Sequence, residues 1–231
     1  MREIASHDNP MLDFSVLSCY MIGVYGAIAR LDSFFIHEGM SEKTTHLAQV
    51  TAAQPSRLAD FVVLTKPRLL VMVLVSTCIG YALAEPVQHN PLLILGMVIG
   101  TGLVGAAAHV FNQCWEVKRD ALMHRTRNRP LPEGRIALEE AFWLGMSLAV
   151  SGLLLLVWSV NLLTALLGLV TLLSYILAYT PLKSLTPANT WVGAVTGALP
   201  PVMGWTAATG ELSWSALPIF LLLYFWQLPH L

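Results

Sequence analysis

Along the chain, long apolar stretches alternate with short polar connections at a spacing that suits a bilayer. A helix needs about 20 apolar residues to cross roughly 30 Å of hydrocarbon. Pro91 to Phe111 gives 21 residues without a charge, Ala141 to Val160 gives 20, Asn161 to Tyr179 gives 19, and Thr190 to Thr209 and Leu212 to Leu231 give 20 each. Leu69 to Ala84 is shorter, at 16, and is expected to extend back toward Phe61 through the Lys66-Pro67-Arg68 break. The pattern therefore predicts an all-α polytopic membrane protein, a transmembrane helical bundle with six spans present.

The first sixty residues fit this pattern less well. Phe14 to Ala29 is a moderately apolar stretch of 16, preceded by Asp13 and followed by Arg30 and Asp32. We read residues 1–57 as an amino-terminal extension, disordered or loosely associated with the surface, and 58–231 as the membrane domain. A seventh span, an interfacial helix, a targeting segment or a true start at Met40 are the alternatives.

Composition strengthens the membrane reading and excludes others. Apolar residues make up 55% of the chain and charged residues 12%, about half of what a soluble domain carries. The formal net charge of -1 offers no basic field for nucleic acid. Three cysteines, Cys19, Cys78 and Cys114, without CxxC spacing, make a disulfide framework or structural zinc site an unsuitable explanation. The cations are distributed on one side: Lys66, Arg68, Lys118, Arg119, Arg125, Arg127, Arg129, Arg135 and Lys183 all fall in alternate connections, and the opposite connections contain no Lys or Arg. By the positive-inside bias, the first span starts on the cytoplasmic side.

Charge is dense in one place only. After the second span the chain reads Asn112-Gln-Cys-Trp-Glu116-Val-Lys-Arg-Asp120, then continues through Arg125, Arg127, Arg129 and Arg135. Asn112, Glu116 and Asp120 are spaced i, i+4, i+8, and each step of four turns only about 40° around a helix, so the three oxygens share a face. Two carboxylates and an amide oxygen are hard ligands suited to Mg²⁺ that is shared with substrate phosphates. Arginine forks next to them complement a diphosphate. Taken separately, each half has a plainer reading, a solvated acidic face and a topology signal; their abutment favours a diphosphate clamp. Lys183, the sole cation of the next such connection, could reach the same group or could be a snorkelling anchor.

Other features carry less. Gly96/Gly100 and Gly193/Gly197 are GxxxG pairs that permit close helix approach. Pro200 and Pro201 are expected to kink or break the fifth span. His109 and His230 lie within or at the end of spans, where each could contact a polar substrate or a haem iron, or simply pack as a hydrogen-bonded helix histidine. The seven tryptophans are read mostly as interface anchors.

These residues resemble the UbiA-type intramembrane prenyltransferase superfamily. The stretch Asn112-x-x-x-Glu116-x-x-x-Asp120, followed by Met123-x-Arg125-Thr126-x-x-Arg129-Pro130-Leu131-x-x-Gly134, is similar to its first aspartate-rich loop. Tyr179-Thr-Pro-Leu-Lys183-x-x-Thr186-Pro-x-Asn189, Gly193 to Trp205, and Trp226-Gln227-x-Pro229-His230 narrow the resemblance to the family of protoheme IX farnesyltransferases, over Leu58 to Leu231. The resemblance implies farnesyl diphosphate and haem B as substrates, Mg²⁺ as cofactor, and the bilayer as surroundings. It also implies haem A synthase or oxidase assembly factors as partners. By position, Asn112, Glu116 and Asp120 would hold the metal, Arg125, Arg129 and Lys183 the diphosphate, and His230 or His109 the haem. The site of action would be a bacterial plasma membrane, with an organellar inner membrane second. Glu116 stands where the superfamily mostly has Asp, which preserves the ligating oxygen. The family has nine spans and a second aspartate-rich loop after the sixth, so the sequence is expected to be the amino-terminal two-thirds of such an enzyme, one that is inactive if the gene itself is truncated. The rival readings are a prenyltransferase for a quinone or chlorophyll-type acceptor, and a non-catalytic six-span membrane protein.

Overall fold

The structure, a computed structural model, describes residues 56–86, 90–183 and 185–230. The extension expected over 1–57 lies outside the described residues, apart from Ser56 and Arg57. Ser56 caps the first helix, its hydroxyl accepting from the Ala59 N–H at 3.3 Å.

Every described element is helical. Helix α1 (Arg57–Leu64) ends at Lys66, whose left-handed backbone (φ 50°) turns the chain before Pro67 opens α2 (Pro67–Leu83). Proline at a first helical position costs nothing, because that N–H has no partner in any case. The two helices meet at a 45° bend. Helix α3 (Pro91–Asp120) starts the same way, with Pro91 first and the Asn90 side chain accepting from the Leu92 N–H at 3.0 Å. Its 30 residues make a rod of about 45 Å, longer than the hydrocarbon is thick, so its last turns extend past the apolar zone. Lys118 and Arg119 in the final turn suit the negative end of the helix dipole.

Helix α4 (Leu138–Ser159) returns antiparallel to α3. Side chains or backbone of α4 occupy the space over Gly96 and Gly100, where a Cβ would meet Ser159 and Leu156. The first GxxxG pair therefore does mark a close helix contact. Helix α5 (Leu162–Leu182) begins at Asn161, whose side chain accepts from the Thr164 N–H at 2.8 Å and donates to the Thr206 carbonyl at 2.9 Å. Residues Ser174–Tyr179 of α5 widen into a π-helical turn, and Thr180 donates through both its N–H and its hydroxyl to the Tyr175 carbonyl five residues back.

Helix α6 (Asn189–Thr209) is the hub: it packs on α2, α5 and α7 (Leu217–Gln227). Of the expected kink or break, no break is present: it continues as one helix through Pro200 and Pro201. The closest approach in the bundle lies at these prolines, on α2. A Cβ on Gly80 would fall on the Pro201 carbonyl, and one on Gly204 would fall on the Thr77 carbonyl. A helix clamped this tightly by its neighbours can tolerate the lost backbone hydrogen bonds.

Three helices, α3, α4 and α5, are each long and apolar enough to cross a membrane, and the bent pair α1–α2 makes a fourth. The two remaining expected spans are helical but do not meet that standard alone among the described residues. Helix α7 has only 11 residues, between single turns at Trp214–Ala216 and Leu228–His230. Helix α6 dilutes its apolar residues with Thr, Gly and Pro, and most of its second half is buried by protein, so lipid-facing apolar surface is not demanded of it. Trp205 departs from the interface-anchor reading: it is buried, and its indole N–H donates to Ser213 at 3.1 Å. Trp158 and Trp214 remain exposed at helix ends, as anchors should.

Candidate active site

The face that the spacing predicted on α3 is real and it is buried. Asn112, Glu116 and Asp120 are 3%, 7% and 5% exposed. A buried carboxylate must be paired or pay a large desolvation cost. Both are paired, each by a cation delivered from a different connection. Lys183, in the turn after α5, places Nζ 3.1 Å from Glu116 Oε1. Arg129, in the loop after α3, places a guanidinium nitrogen 2.6 Å from Asp120 Oδ2. The third oxygen is engaged from α5, where the Tyr175 hydroxyl donates to Asn112 Oδ1 at 3.3 Å.

The loop 121–136 is folded back on itself, which is what fixes Arg129. Thr126, buried, donates its hydroxyl to the Asp120 carbonyl at 2.9 Å. Pro130, Leu131 and Ile136 are buried under the loop with Leu64, Val110 and Ala141. Arg135 locks the far end to α1: its Nε lies 3.1 Å from both oxygens of the buried Asp60, and it also pairs with Glu133. Arg135 is thus a strut of the site. Arg125 is exposed and joins no ion pair among the described residues.

Three contributors were not singled out from sequence. Lys66 stands at the α1–α2 bend, where the charges of Arg129, Glu116, Lys183 and Asp120 all act on its ammonium. Gln113, next to Asn112, is buried and donates its amide to the Leu64 carbonyl at 2.7 Å, holding that bend against α3. Tyr175 stacks on Tyr179 with ring centres 5.2 Å apart and meets His109 edge-on at 6.0 Å. The only sequence signals were the Lys-Pro pair for the bend and the i, i+4 tyrosines. Nothing in the sequence announced the π turn, a feature common at functional sites.

His109 is 8% exposed, and neither of its ring nitrogens has a hydrogen-bond partner among the described residues. The hydrogen-bonded packing role considered for it is therefore not what the structure has. His230 falls in the closing turn Leu228–His230, and its side chain lies outside the described residues.

The donor set on α3 fits a hard divalent cation. The hydrogen bonds and ion pairs use Glu116 Oε1 and Asp120 Oδ2, which leaves Oε2 and Oδ1 uncommitted by them, and an amide oxygen has a second lone pair beside the one facing Tyr175. Among the described residues no group of three or more His, Cys, Asp or Glu could hold a metal. An ion here would therefore complete its shell with phosphate oxygens and water, the usual habit of Mg²⁺.

The fold is thus that of an α-helical membrane bundle whose rim joins buried carboxylates to cations from two neighbouring connections. The chain belongs to the UbiA prenyltransferase family, whose model matches residues 73–231. It is 47% identical over 176 residues to the protoheme IX farnesyltransferase of Myxococcus xanthus, which covers 76% of this chain and 60% of that one. It is 47% identical over 167 residues to the mitochondrial protoheme IX farnesyltransferase of Homo sapiens, covering 72% and 38%. The chain thus spans less than two-thirds of the length of these relatives. Among solved structures, a UbiA homologue from Archaeoglobus fulgidus bound to DMAPP and Mg²⁺ superposes with a TM-score of 0.63 at 15% identity, over 74% of this chain and 61% of that one. The apo UbiA homologue from Aeropyrum pernix K1 gives 0.60 at 20% identity, over 69% and 60%. These likenesses concern the fold.

Proposed function

We propose that this chain transfers the farnesyl group of farnesyl diphosphate to a vinyl carbon of haem B, producing haem O. The observation that carries the reading is the buried row Asn112, Glu116 and Asp120, met by Lys183 and Arg129 from two separate connections. The identity to protoheme IX farnesyltransferases supports the choice of acceptor.

Asn112, Glu116 and Asp120 would hold Mg²⁺, which would supply neutralisation of the charge on a departing diphosphate. Lys183, Arg129 and Lys66 turn toward the phosphate oxygens, and exposed Arg125 folds over them from the loop. Farnesyl C1 then points inward along α3, past Tyr175. Its bond to the diphosphate oxygen breaks, and the terminal vinyl carbon of haem B attacks the allylic cation. The packed bundle keeps water from the cation until the acceptor has reacted. By resemblance, His109 or His230 is assigned to the haem. The carboxylate rim lies on the cytoplasmic face of a bacterial plasma membrane, consistent with the one-sided Lys and Arg, and the product passes to haem A synthase or to oxidase assembly.

The test is direct. Membranes containing the full chain are incubated with haem B, farnesyl diphosphate and Mg²⁺, and haem O is sought by mass. Product that disappears with EDTA and with Asp120→Ala supports the reading; absence of any farnesylated haem from the unmodified chain, with the metal supplied, overturns it.

A further inference from the structure

We infer that His109 is the base that takes the proton from the water added during the transfer. The inference rests on the reading that haem O is the product. Haem O exceeds a simply farnesylated haem by one water. As the terminal vinyl carbon bonds to farnesyl C1 and the C1–oxygen bond to diphosphate breaks, positive charge passes to the inner vinyl carbon beside the porphyrin ring. A water oxygen bonds to that carbon, and it must then lose a proton to some acceptor.

His109 has the features of that acceptor. Its imidazole is 8% exposed, with Nδ1 and Nε2 both lacking a partner among the described residues. Leaving a buried polar group unpaired is costly, and an ionisable residue inside a membrane span that has no structural partner calls for a functional one. Its position along α3 matches the chemistry. At about 1.5 Å per residue, His109 lies roughly 4.5 Å inward of Asn112 and about 10 Å inward of Glu116. The diphosphate sits at the carboxylates, so the reacting carbons fall on the inward side, at the level of the imidazole. The ring stands edge-on to Tyr175 at 6.0 Å, whose hydroxyl is committed to Asn112.

Other acceptors near the site are already engaged. Glu116 and Asp120 each face a cation through one oxygen and, on the proposed function, would give the other to Mg²⁺, and the Tyr175 hydroxyl donates. The departing diphosphate is the one serious rival. Ligation of the haem iron by His109 fits the placement less well, because the vinyl groups lie at the rim of the macrocycle and the iron at its centre. A group beside the reacting vinyl does not stand over the metal.

The experiment uses the full chain in membranes with haem B, farnesyl diphosphate and Mg²⁺, and resolves the haem products by mass. With His109→Gln the inner cation is expected to shed a proton from the adjoining carbon to the departing diphosphate. The product is then a farnesylated haem lighter than haem O by one water, and its ratio to haem O rises about tenfold or more. In His109→Ala, added imidazole is expected to restore haem O. If the Gln variant fails to fold, His109→Asn is read in its place. An unchanged product ratio assigns the proton to the diphosphate and overturns the inference. So does a shifted Soret band of bound haem B in the variant, which makes His109 an iron ligand, and so does loss of all farnesylated product in a folded variant. Failure of the unmodified chain to make any farnesylated haem is a different result, because it removes the proposed function itself.

Discussion

Lys183 Nζ lies 3.1 Å from Glu116 Oε1 across 67 residues of sequence. The ammonium and the carboxylate come from the ends of two different membrane helices, and each is read as a ligand for a different part of Mg²⁺-diphosphate. In this pairing the cations read as gripping the phosphate neutralise the carboxylates read as holding the metal. Asp120 and Arg129 repeat the arrangement at 2.6 Å.

The first prediction separates Arg129 from Arg125. Arg129→Ala leaves Asp120, 8% exposed at its side chain, without its cation. Breaking a buried pair costs about 3–5 kcal/mol, and about half of that is expected here because the arginine itself is partly exposed. Arg125→Ala touches no ion pair among the described residues, so thermal melting in detergent should be unchanged while the KM for farnesyl diphosphate rises. Equal melting temperatures for the two variants would contradict the assignment of Arg129.

A second prediction concerns Lys66. Lys66→Gln should weaken binding of farnesyl diphosphate about tenfold or more, the size of a lost charge-assisted hydrogen bond. Titrating a non-hydrolysable farnesyl diphosphate analogue against intrinsic fluorescence measures it. Unaltered affinity would remove Lys66 from the diphosphate site.

Gln113 provides a third. It touches neither carboxylate, but its amide holds the Leu64 carbonyl at 2.7 Å. Gln113→Leu strands a buried carbonyl and should destabilise the protein by about 1–3 kcal/mol. Loosening the α1–α2 bend that carries Lys66 should also raise the KM for farnesyl diphosphate. A drop in melting temperature without a change in KM would limit Gln113 to a structural role.

The fourth tests the close contact of α2 with α6. Gly204→Ala drives a Cβ onto the Thr77 carbonyl, whereas a Cβ at Gly102 meets only the flexible end of Leu74, at 3.6 Å. Gly204→Ala should therefore lower stability by at least about 1–3 kcal/mol, and Gly102→Ala should be tolerated. Melting curves of the two variants decide it.

Sequence alone determined that the chain is a helical membrane protein and that Asn112, Glu116 and Asp120 share a face at the end of one span. Both follow from local periodicity: run length against bilayer thickness, and the helical repeat. It also placed Lys183 and Arg129 near that face by resemblance. Tertiary structure decided the rest, because the deciding contacts join residues far apart in the chain. Packing buried α6, so that a proline-bearing helix of modest hydropathy holds the centre of the bundle. Positive φ at Lys66 bends the expected span at the Lys66-Pro67-Arg68 break and sets a cation there. The π turn of α5 brought Tyr175 to Asn112, and the loop fold assigned Arg135 to Asp60 and Arg129 to Asp120. Runs of identical basic residues look alike in a sequence. Which of them faces a carboxylate is settled only when the helices are laid side by side.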